Sequence, residues 1–257
     1  MCELFAACGK RKILLNDALK TFFSHSETHP NGWGIATFNG DHVTIEKEPE
    51  KASTSRYLKS RLRVNIEEDV CLAHIRRATI GEIKYENCHP FTARDASNRS
   101  WTLIHNGTIF KTERLSSYFH RQIGTTDSER VLLYIVDQIN AEIERLGRDP
   151  TFDERFDVLE KVLGDLSEGN KLNLVIYDGE YLYAHSNYAN SLHVCASSDG
   201  VLVSTRPLDL NVWSALPITT LRAYRSGEIA RTGKSHGFVF VDNPDDMQFL
   251  FMDFARL

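Results

Sequence analysis

Cys2 is the residue with the clearest chemical potential. The initiator Met1 is removed when the next residue is small, and its loss would leave Cys2 carrying both a thiol and a free α-amine. An α-amine titrates near about 7.7–8.0 and a thiol near about 8.5. The amine is therefore suited to take the thiol proton, making one residue both nucleophile and base. Alone, Cys2 is equally consistent with a small residue that happens to come second. Five segments downstream of it change the balance. Asn31-Gly32-Trp33-Gly34-Ile35, Ala73 through Glu82, Asn87-Cys88-His89-Pro90, His105-Asn106-Gly107 and Thr125-Thr126-Asp127-Ser128-Glu129 bring polar groups to the ends of expected elements. Element ends are where sites are built on a rigid scaffold.

Those elements are legible from periodicity. Glu3–Ala7, Gly34–Phe38, His42–Glu46, Val70–Arg76 and Trp101–His105 read as strands, with a hairpin turn at Asn39-Gly40-Asp41. The period then becomes helical. Leu132, Ile135, Val136, Ile139, Ile143 and Leu146 predict a helix from about Asp127 to Leu146, with Thr125, Thr126 and Asp127 offering caps. Phe152, Phe156, Leu159, Leu163 and Leu166 predict a second helix ending near Gly169. Strands resume at Leu172–Tyr177, Tyr181–His185, His193–Ala196 and Val201–Ser204, with closing strands at Ile218–Tyr224 and Gly237–Val241. Strands, then helices, then strands, with no linker or repeat, imply two sheets with helices packed outside.

Bulk composition narrows the function classes. The chain has 257 residues, 42% of them apolar and 25% charged, which is enough to build a sizeable core. Net charge is −5 with no basic run, which disfavours nucleic acid and favours a small-molecule substrate. No apolar run of membrane-spanning length is present, and the N-terminus lacks the features of a signal peptide. The five scattered cysteines are expected to be reduced in the cytoplasm. Cys71, His74, Cys88 and His89 do not read as a zinc site, because Cys71 and His74 are three apart on a strand and point to opposite faces. Other readings stay open residue by residue: Arg76 as a solvated strand-end charge, Asn106-Gly107 as a turn, Asp127 as a first-turn acid, Trp33 and Trp101 as core. Glu67-Glu68-Asp69 reads as a solvated turn, and no role is assigned to His25, His29, His42, His120, His185, His193 or His236.

Taken in order behind Cys2, the five segments resemble the glutaminase domain of class II glutamine amidotransferases, within the N-terminal-nucleophile hydrolases, over roughly the first 130 residues. The Cys-Glu-Leu start and the Gly-Trp-Gly segment are similar to the stand-alone, YafJ-like group. The resemblance implies an α+β fold, the four-layer αββα sandwich of two antiparallel sheets, as a single domain over residues 1–257. It implies that Cys2 is the nucleophile and that Asn106 and Gly107 form the oxyanion hole. Arg76 would grip an α-carboxylate and Asp127 an α-ammonium, while Thr79 and His89 would line the pocket. Trp33 and Gly34 match more loosely as substrate-binding positions. The implied activity is hydrolysis of the γ-amide of glutamine, with no cofactor and no metal. The alternatives are a γ-glutamyl hydrolase acting on a larger conjugate, a glutaminase subunit serving a separate synthase, and a binding module without turnover. Two positions depart from the amino-sugar synthase pattern: Arg77 stands where that pattern has Trp, and Ile80 where it has His.

Overall fold

The computed structural model describes residues 2–40, 42–111 and 113–243. Met1 and the expected turn residue Asp41 lie outside the described residues. The first part of the chain forms β1 (Glu3–Leu14), α1 (Asn16–Ser24), β2 (Trp33–Asn39), β3 (His42–Glu48), α2 (Arg56–Arg61) and β4 (Glu67–Ile75). Next come β5 (Phe91–Arg94), β6 (Ser100–His105), α3 (Asp127–Leu146) and α4 (Phe152–Ser167). Strands return as β7 (Leu174–Tyr177), β8 (Leu182–His185), β9 (His193–Ala196) and β10 (Gly200–Ser204). The last elements are β11 (Ser214–Ala215), β12 (Arg222–Arg225) and β13 (Glu228–Thr232).

The strands make two sheets, of order β11-β9-β10-β1-β4-β2-β3 and β13-β12-β8-β7-β6-β5. Every named pairing is antiparallel. Successive side chains of a strand point to opposite faces, and β1 uses both. Leu4, Ala6 and Cys8 join Leu72, Ala36 and Val203 against Ile104, Val175, Leu182 and Ala184 of the other sheet, forming the interior of the sandwich. Phe5 and Ala7 face the other way, onto Leu19, Phe22 and Phe23 of α1 and Leu58 of α2. On the far side, Trp101, Leu103, Ile176 and Tyr183 pack against Leu132, Ile135 and Ile139 of α3 and Phe156, Leu159 and Leu163 of α4. The result is the expected four-layer αββα sandwich. No helix among the described residues is long and apolar enough to cross a membrane.

Local chemistry explains the element ends. The Thr126 side chain caps α3 by accepting from the Glu129 N–H, and Gly147 closes it in the left-handed conformation, at φ 65°. Thr151 and Glu154 form a reciprocal capping box at the start of α4.

Several expectations need correction. Residues 237–241 form no strand: their polar groups bond to loops, with Phe240 N–H donating to Asn187 O at 2.8 Å and Asn187 Nδ2 to Phe238 O at 3.4 Å. The run expected from Ile218 begins as a strand only at Arg222, because Thr219 adopts a left-handed φ of 59°. Glu67 and Glu68 are not a turn but the start of β4, paired with Leu14 and Ile13. The helices α1 and α2 and the strands β5, β11 and β13 are additional to the elements that periodicity predicts.

A buried ion pair ties α4 to the β7–β8 hairpin. Arg155 Nε donates to Asp178 Oδ2 at 2.9 Å, and the two side chains are 4% and 0% exposed. Asp178 also accepts from the Tyr183 hydroxyl and from the Glu180 and Tyr181 N–H groups. Removing one partner of such a pair leaves an uncompensated buried charge, at a typical cost of about 3–5 kcal/mol. Arg155→Met is expected to lower unfolding free energy by roughly that amount in a denaturant titration. A loss below about 1 kcal/mol would show that Asp178 is satisfied without the guanidinium.

Candidate active site

The site begins where β1 begins. Glu3 of β1 is opposite Ile75 of β4, which is also opposite Trp33 of β2. One residue beyond that register, the Arg77 N–H donates to Cys2 Sγ at 3.4 Å and the thiol lies 3.5 Å from Arg77 O. Arg76 N–H donates to Gly32 O, and Asn31 N–H to Arg76 O, so residues 31–32 hold the strand end. Burial pushes the Cys2 thiol above its ordinary pKa, opposed by the Arg77 N–H and the nearby Arg76 charge. Next to Cys2, the buried Glu3 carboxylate is met by His25 at 2.8 Å and Arg206 at 2.8 Å. His25 and Arg206 carry no role that the sequence discloses.

The other sheet supplies the facing wall. His105 ends β6, and Asn106 and Gly107 come next. Asn106 N–H donates to Asn173 O at 2.8 Å, and Asn173 Nδ2 returns a bond to Asn106 O at 3.0 Å. A Cβ on Gly107 would lie 2.0 Å from Lys171 O and 2.4 Å from His105 Nε2, so only glycine fits. The Asn106 side chain is spare: its Oδ1 is buried with no hydrogen-bond partner among the described residues. Asp127 opens α3, held by the Ile109 N–H at 2.9 Å to its Oδ2.

Cys2, Arg76, Thr79, His89, Gly107 and Asp127 line one small cavity of about 20 Å³. That is space for about one water. Asn106 lines a second cavity, of about 450 Å³, together with Cys2. Trp33 and Gly34 lie away from both. Trp33 is fully buried in the outer core, packed edge-on to Phe23 and donating to Glu48 Oε2. Gly34 is where the chain at His89 crosses β2, since a Cβ there would sit 2.1 Å from His89 O. Both act through packing rather than as cavity walls.

Residues 78–80 form one wall of the small cavity. Arg76 donates to Glu82 O at 2.8 Å, Ile80 O at 2.8 Å and Gly81 O at 2.9 Å, folding the loop back over its own strand end. Asn87 secures the loop from the other side. Its Nδ2 donates to Glu82 O and Thr125 Oγ1, and its Oδ1 accepts from Thr125 N–H. Asn87 therefore links this loop to the start of α3, a role that its place in an Asn-Cys-His-Pro run does not disclose.

Three histidines lie behind the cavity. The His74 and His89 rings are 4.0 Å apart, His74 Nε2 lies 3.2 Å from His105 O, and His105 Nδ1 lies 3.0 Å from Ser128 Oγ. Burial drives all three below the ordinary imidazole range, His74 to about 3. They are neutral at physiological pH and present rings rather than charge to the site. Cys71 and His74 do face opposite sides of β4, with Cys71 in the outer core, and no cluster of three or more metal-ligating side chains occurs among the described residues.

Comparison with known proteins places the chain in a family. The family model for class II glutamine amidotransferases matches residues 1–199. An uncharacterised protein of Methanocaldococcus jannaschii is 30% identical over 262 residues, covering 91% of this chain and 72% of the relative. YafJ of Escherichia coli K12 is 30% identical over 158 residues, covering 61% of this chain and 60% of YafJ. The chain thus spans under two thirds of YafJ. Among solved structures, a predicted glutamine amidotransferase of Pseudomonas aeruginosa PA01 superposes with a TM-score of 0.64 at 19% identity, covering 90% of this chain and all of that one. Glutamine phosphoribosylpyrophosphate amidotransferase of B. subtilis gives a TM-score of 0.66 at 17% identity, covering 92% of this chain and 49% of that one. At these identities the structural likeness speaks to the fold.

The histidine cluster makes stability depend on pH in a defined direction. His74 has a folded-state pKa of about 3, against about 6.5 when unfolded. Between those values the unfolded chain binds the extra proton, so stability is fully present above about pH 6.5 and falls as pH drops toward the folded-state value. Melting temperature should be level above neutrality and decline below it, and His74→Gln should make the decline shallower. An unchanged slope in a pH series of thermal melts would remove His74 from the acid response.

Proposed function

The chain belongs to the class II glutamine amidotransferases, and we propose that it is a cysteine-dependent amidohydrolase cleaving the γ-amide of glutamine, one domain acting in the cytoplasm. The observation that carries this reading is the meeting of Cys2 from one sheet with the spare Asn106 amide and the glycine-only turn at Gly107 from the other.

In this mechanism Met1 has been removed, and the α-amine of Cys2 takes the thiol proton. Sγ attacks the amide carbon Cδ. The oxyanion is met by the Asn106 side-chain N–H and the Gly107 backbone N–H. The C–N bond breaks, the departing ammonia takes the proton held by the α-amine, and water then cleaves the thioester to release glutamate. Arg76 holds the α-carboxylate and Asp127 the α-ammonium, while Thr79 and His89 shape the pocket. The neutral His89 ring adds no charge to compete with Arg76 for the carboxylate.

Losing one oxyanion donor typically lowers turnover by about 10²–10³. Asn106→Ala should therefore depress kcat by that order in a glutamate-release assay, with KM changed far less. Near-full kcat would exclude Asn106 from the mechanism.

The terminus offers a second test. A peptide bond to Met1 turns the base into a non-basic amide and adds bulk beside the thiol. Protein shown by mass spectrometry to retain Met1 should be nearly inactive, and processed protein active. Equal activity in the two forms would sink the N-terminal-nucleophile mechanism.

A further inference from the structure

His185 and His236 form a relay whose proton positions follow from their partners. His185 Nδ1 lies 2.9 Å from Leu172 O. A carbonyl can only accept, so that nitrogen carries the proton and His185 Nε2 holds a lone pair. His236 Nε2 lies 3.0 Å from it and must donate. His236 Nδ1 is then the lone pair, and the Phe238 N–H donates to it at 3.1 Å. This pattern requires both rings to be neutral, because an imidazolium has two donors and no acceptor. Protonated His236 would set its Nδ1–H against the Phe238 N–H. Protonated His185 would set its Nε2–H against that of His236. Burial favours the neutral forms, holding His236 below the ordinary imidazole range and His185 at about 3.

His236 belongs to a segment fastened along its length. Lys234 N–H donates to Glu160 of α4, His236 N–H to Thr219 O and Phe240 N–H to Asn187 O. Asn187 in turn holds residues 170–172: its Oδ1 accepts from Leu172 N–H and its Nδ2 donates to Asn170 O, each at 2.8 Å. The turn at Asn106 and Gly107 rests on that same stretch. Asn170 Oδ1 accepts from the Phe110 and Lys111 N–H groups, Lys171 exchanges two backbone bonds with Thr108, and Asn173 bonds Asn106 at both its N–H and its carbonyl. Hydrogen bonds thus run from His236, through His185 and Asn187, to residues 170–173 and the oxyanion turn. The charged and titratable groups around this path are Glu160, the Lys171–Asp242 pair at 3.8 Å with Tyr188 bonded to Asp242, and His105, whose charge would oppose one on His185. None of them shifts His236, on which burial alone acts.

We propose that His236 is a positioning residue for the oxyanion turn: docked on neutral His185, it keeps segment 234–240 on Asn187 and so braces residues 170–173 behind Asn106 and Gly107. Protonation of either ring releases the brace. The inference rests on the oxyanion role given to Asn106 and Gly107 above. Its direction with pH follows from linkage. A free imidazole titrates near about 6.5, and the docked rings titrate lower. The released form therefore binds the extra proton, so the brace is complete above about pH 6.5 and weakens as pH falls below it. Oxyanion donors act through preorganisation, and a misplacement of about 1 Å can cost about 100-fold in rate.

The test reads backbone hydrogen exchange and glutamine turnover on full-length protein with a mass-verified Cys2 terminus. In the unaltered protein, protection of the Phe238 and Phe240 N–H groups, corrected for free-peptide rates, should fall about 10-fold between about pH 7.5 and about pH 5.5. His236→Phe keeps a ring on His185 without the hydrogen bonds. It should lose that protection at both pH values and lower kcat about 10- to 100-fold, with KM changed far less. His236→Gln, which keeps a donor and an acceptor but does not titrate, should restore most of kcat and flatten the pH dependence of exchange. Should His236→Phe not fold, His236→Ala takes its place in the same comparison. Protection that is level with pH in the unaltered protein overturns the histidine latch. Full kcat in His236→Phe with the segment released overturns the positioning role. If the unaltered protein releases no glutamate, the Cys2 mechanism fails by itself, and exchange at the Thr108 N–H decides the brace: faster exchange in His236→Phe upholds it, and an unchanged rate overturns it.

Discussion

The pairing of β1 with β4 is the constraint on which the site depends. The register of Leu4 with His74 and Ala6 with Leu72 puts the thiol one step past the paired strand, beside Arg77. That register is enforced by burial on both faces of β1. A slip of one residue would turn Phe5 and Ala7 toward the sandwich interior and Leu4, Ala6 and Cys8 toward α1. Neither core could accept the exchange, because small alanines alternate with large residues on each face. Thr205 pins the same strand end on its other edge, accepting from Leu4 N–H at 2.8 Å and donating to Leu4 O at 3.0 Å. The nucleophile's position is thus a by-product of hydrophobic packing, which is a rigid way to set a reactive atom.

Opposite the thiol, rigidity comes from hydrogen bonds instead. The chain that leaves β6 and the chain that enters α3 carry backbone polar groups that need partners. Asn173 serves Asn106 on both its N–H and its carbonyl, Asp127 serves Ile109, and Glu129 accepts from the Ile123 and Gly124 N–H groups. Of the buried side-chain atoms without a hydrogen-bond partner among the described residues, Asn106 Oδ1, His105 Nε2 and both His89 ring nitrogens belong to residues that line the site's cavities. Lys171 sits under the site, its carbonyl against Gly107 and its ammonium 3.4 Å from the Tyr188 ring centre, with burial lowering its pKa to about 8. Local rules broken inside an otherwise consistent structure are expected where function is located.

The sequence discloses those parts of the fold in which one local rule acts alone. The helix from Asp127 to Leu146 is legible because apolar period and N-cap candidates agree. The run 237–241 alternates like a strand, but the nearest free hydrogen-bonding groups belong to loops, and tertiary partners are invisible to periodicity. The short helices α1 and α2 fall below the length at which a helical period separates from chance. Within the site, residue types in order locate the cavity walls, whereas the side-chain connections stay hidden. Nothing in the spacing of Arg76 and Glu82 says that a guanidinium turns back onto three carbonyls of the adjoining loop. Trp33 shows the converse: an aromatic between two glycines suggests a ligand contact, yet its ring lies on the face of β2 that packs against α1.

That turned-back guanidinium is the group the proposed reaction needs. The donors that hold the loop are the ones that would receive an α-carboxylate in that reaction. Loop carbonyls are neutral acceptors, and a carboxylate forms shorter, stronger bonds to the same fork. In that reaction a substrate's carboxylate competes directly with Ile80, Gly81 and Glu82 for Arg76, while Asn87 still ties Glu82 O to Thr125. Binding there is driven by the difference between two sets of hydrogen bonds to one side chain.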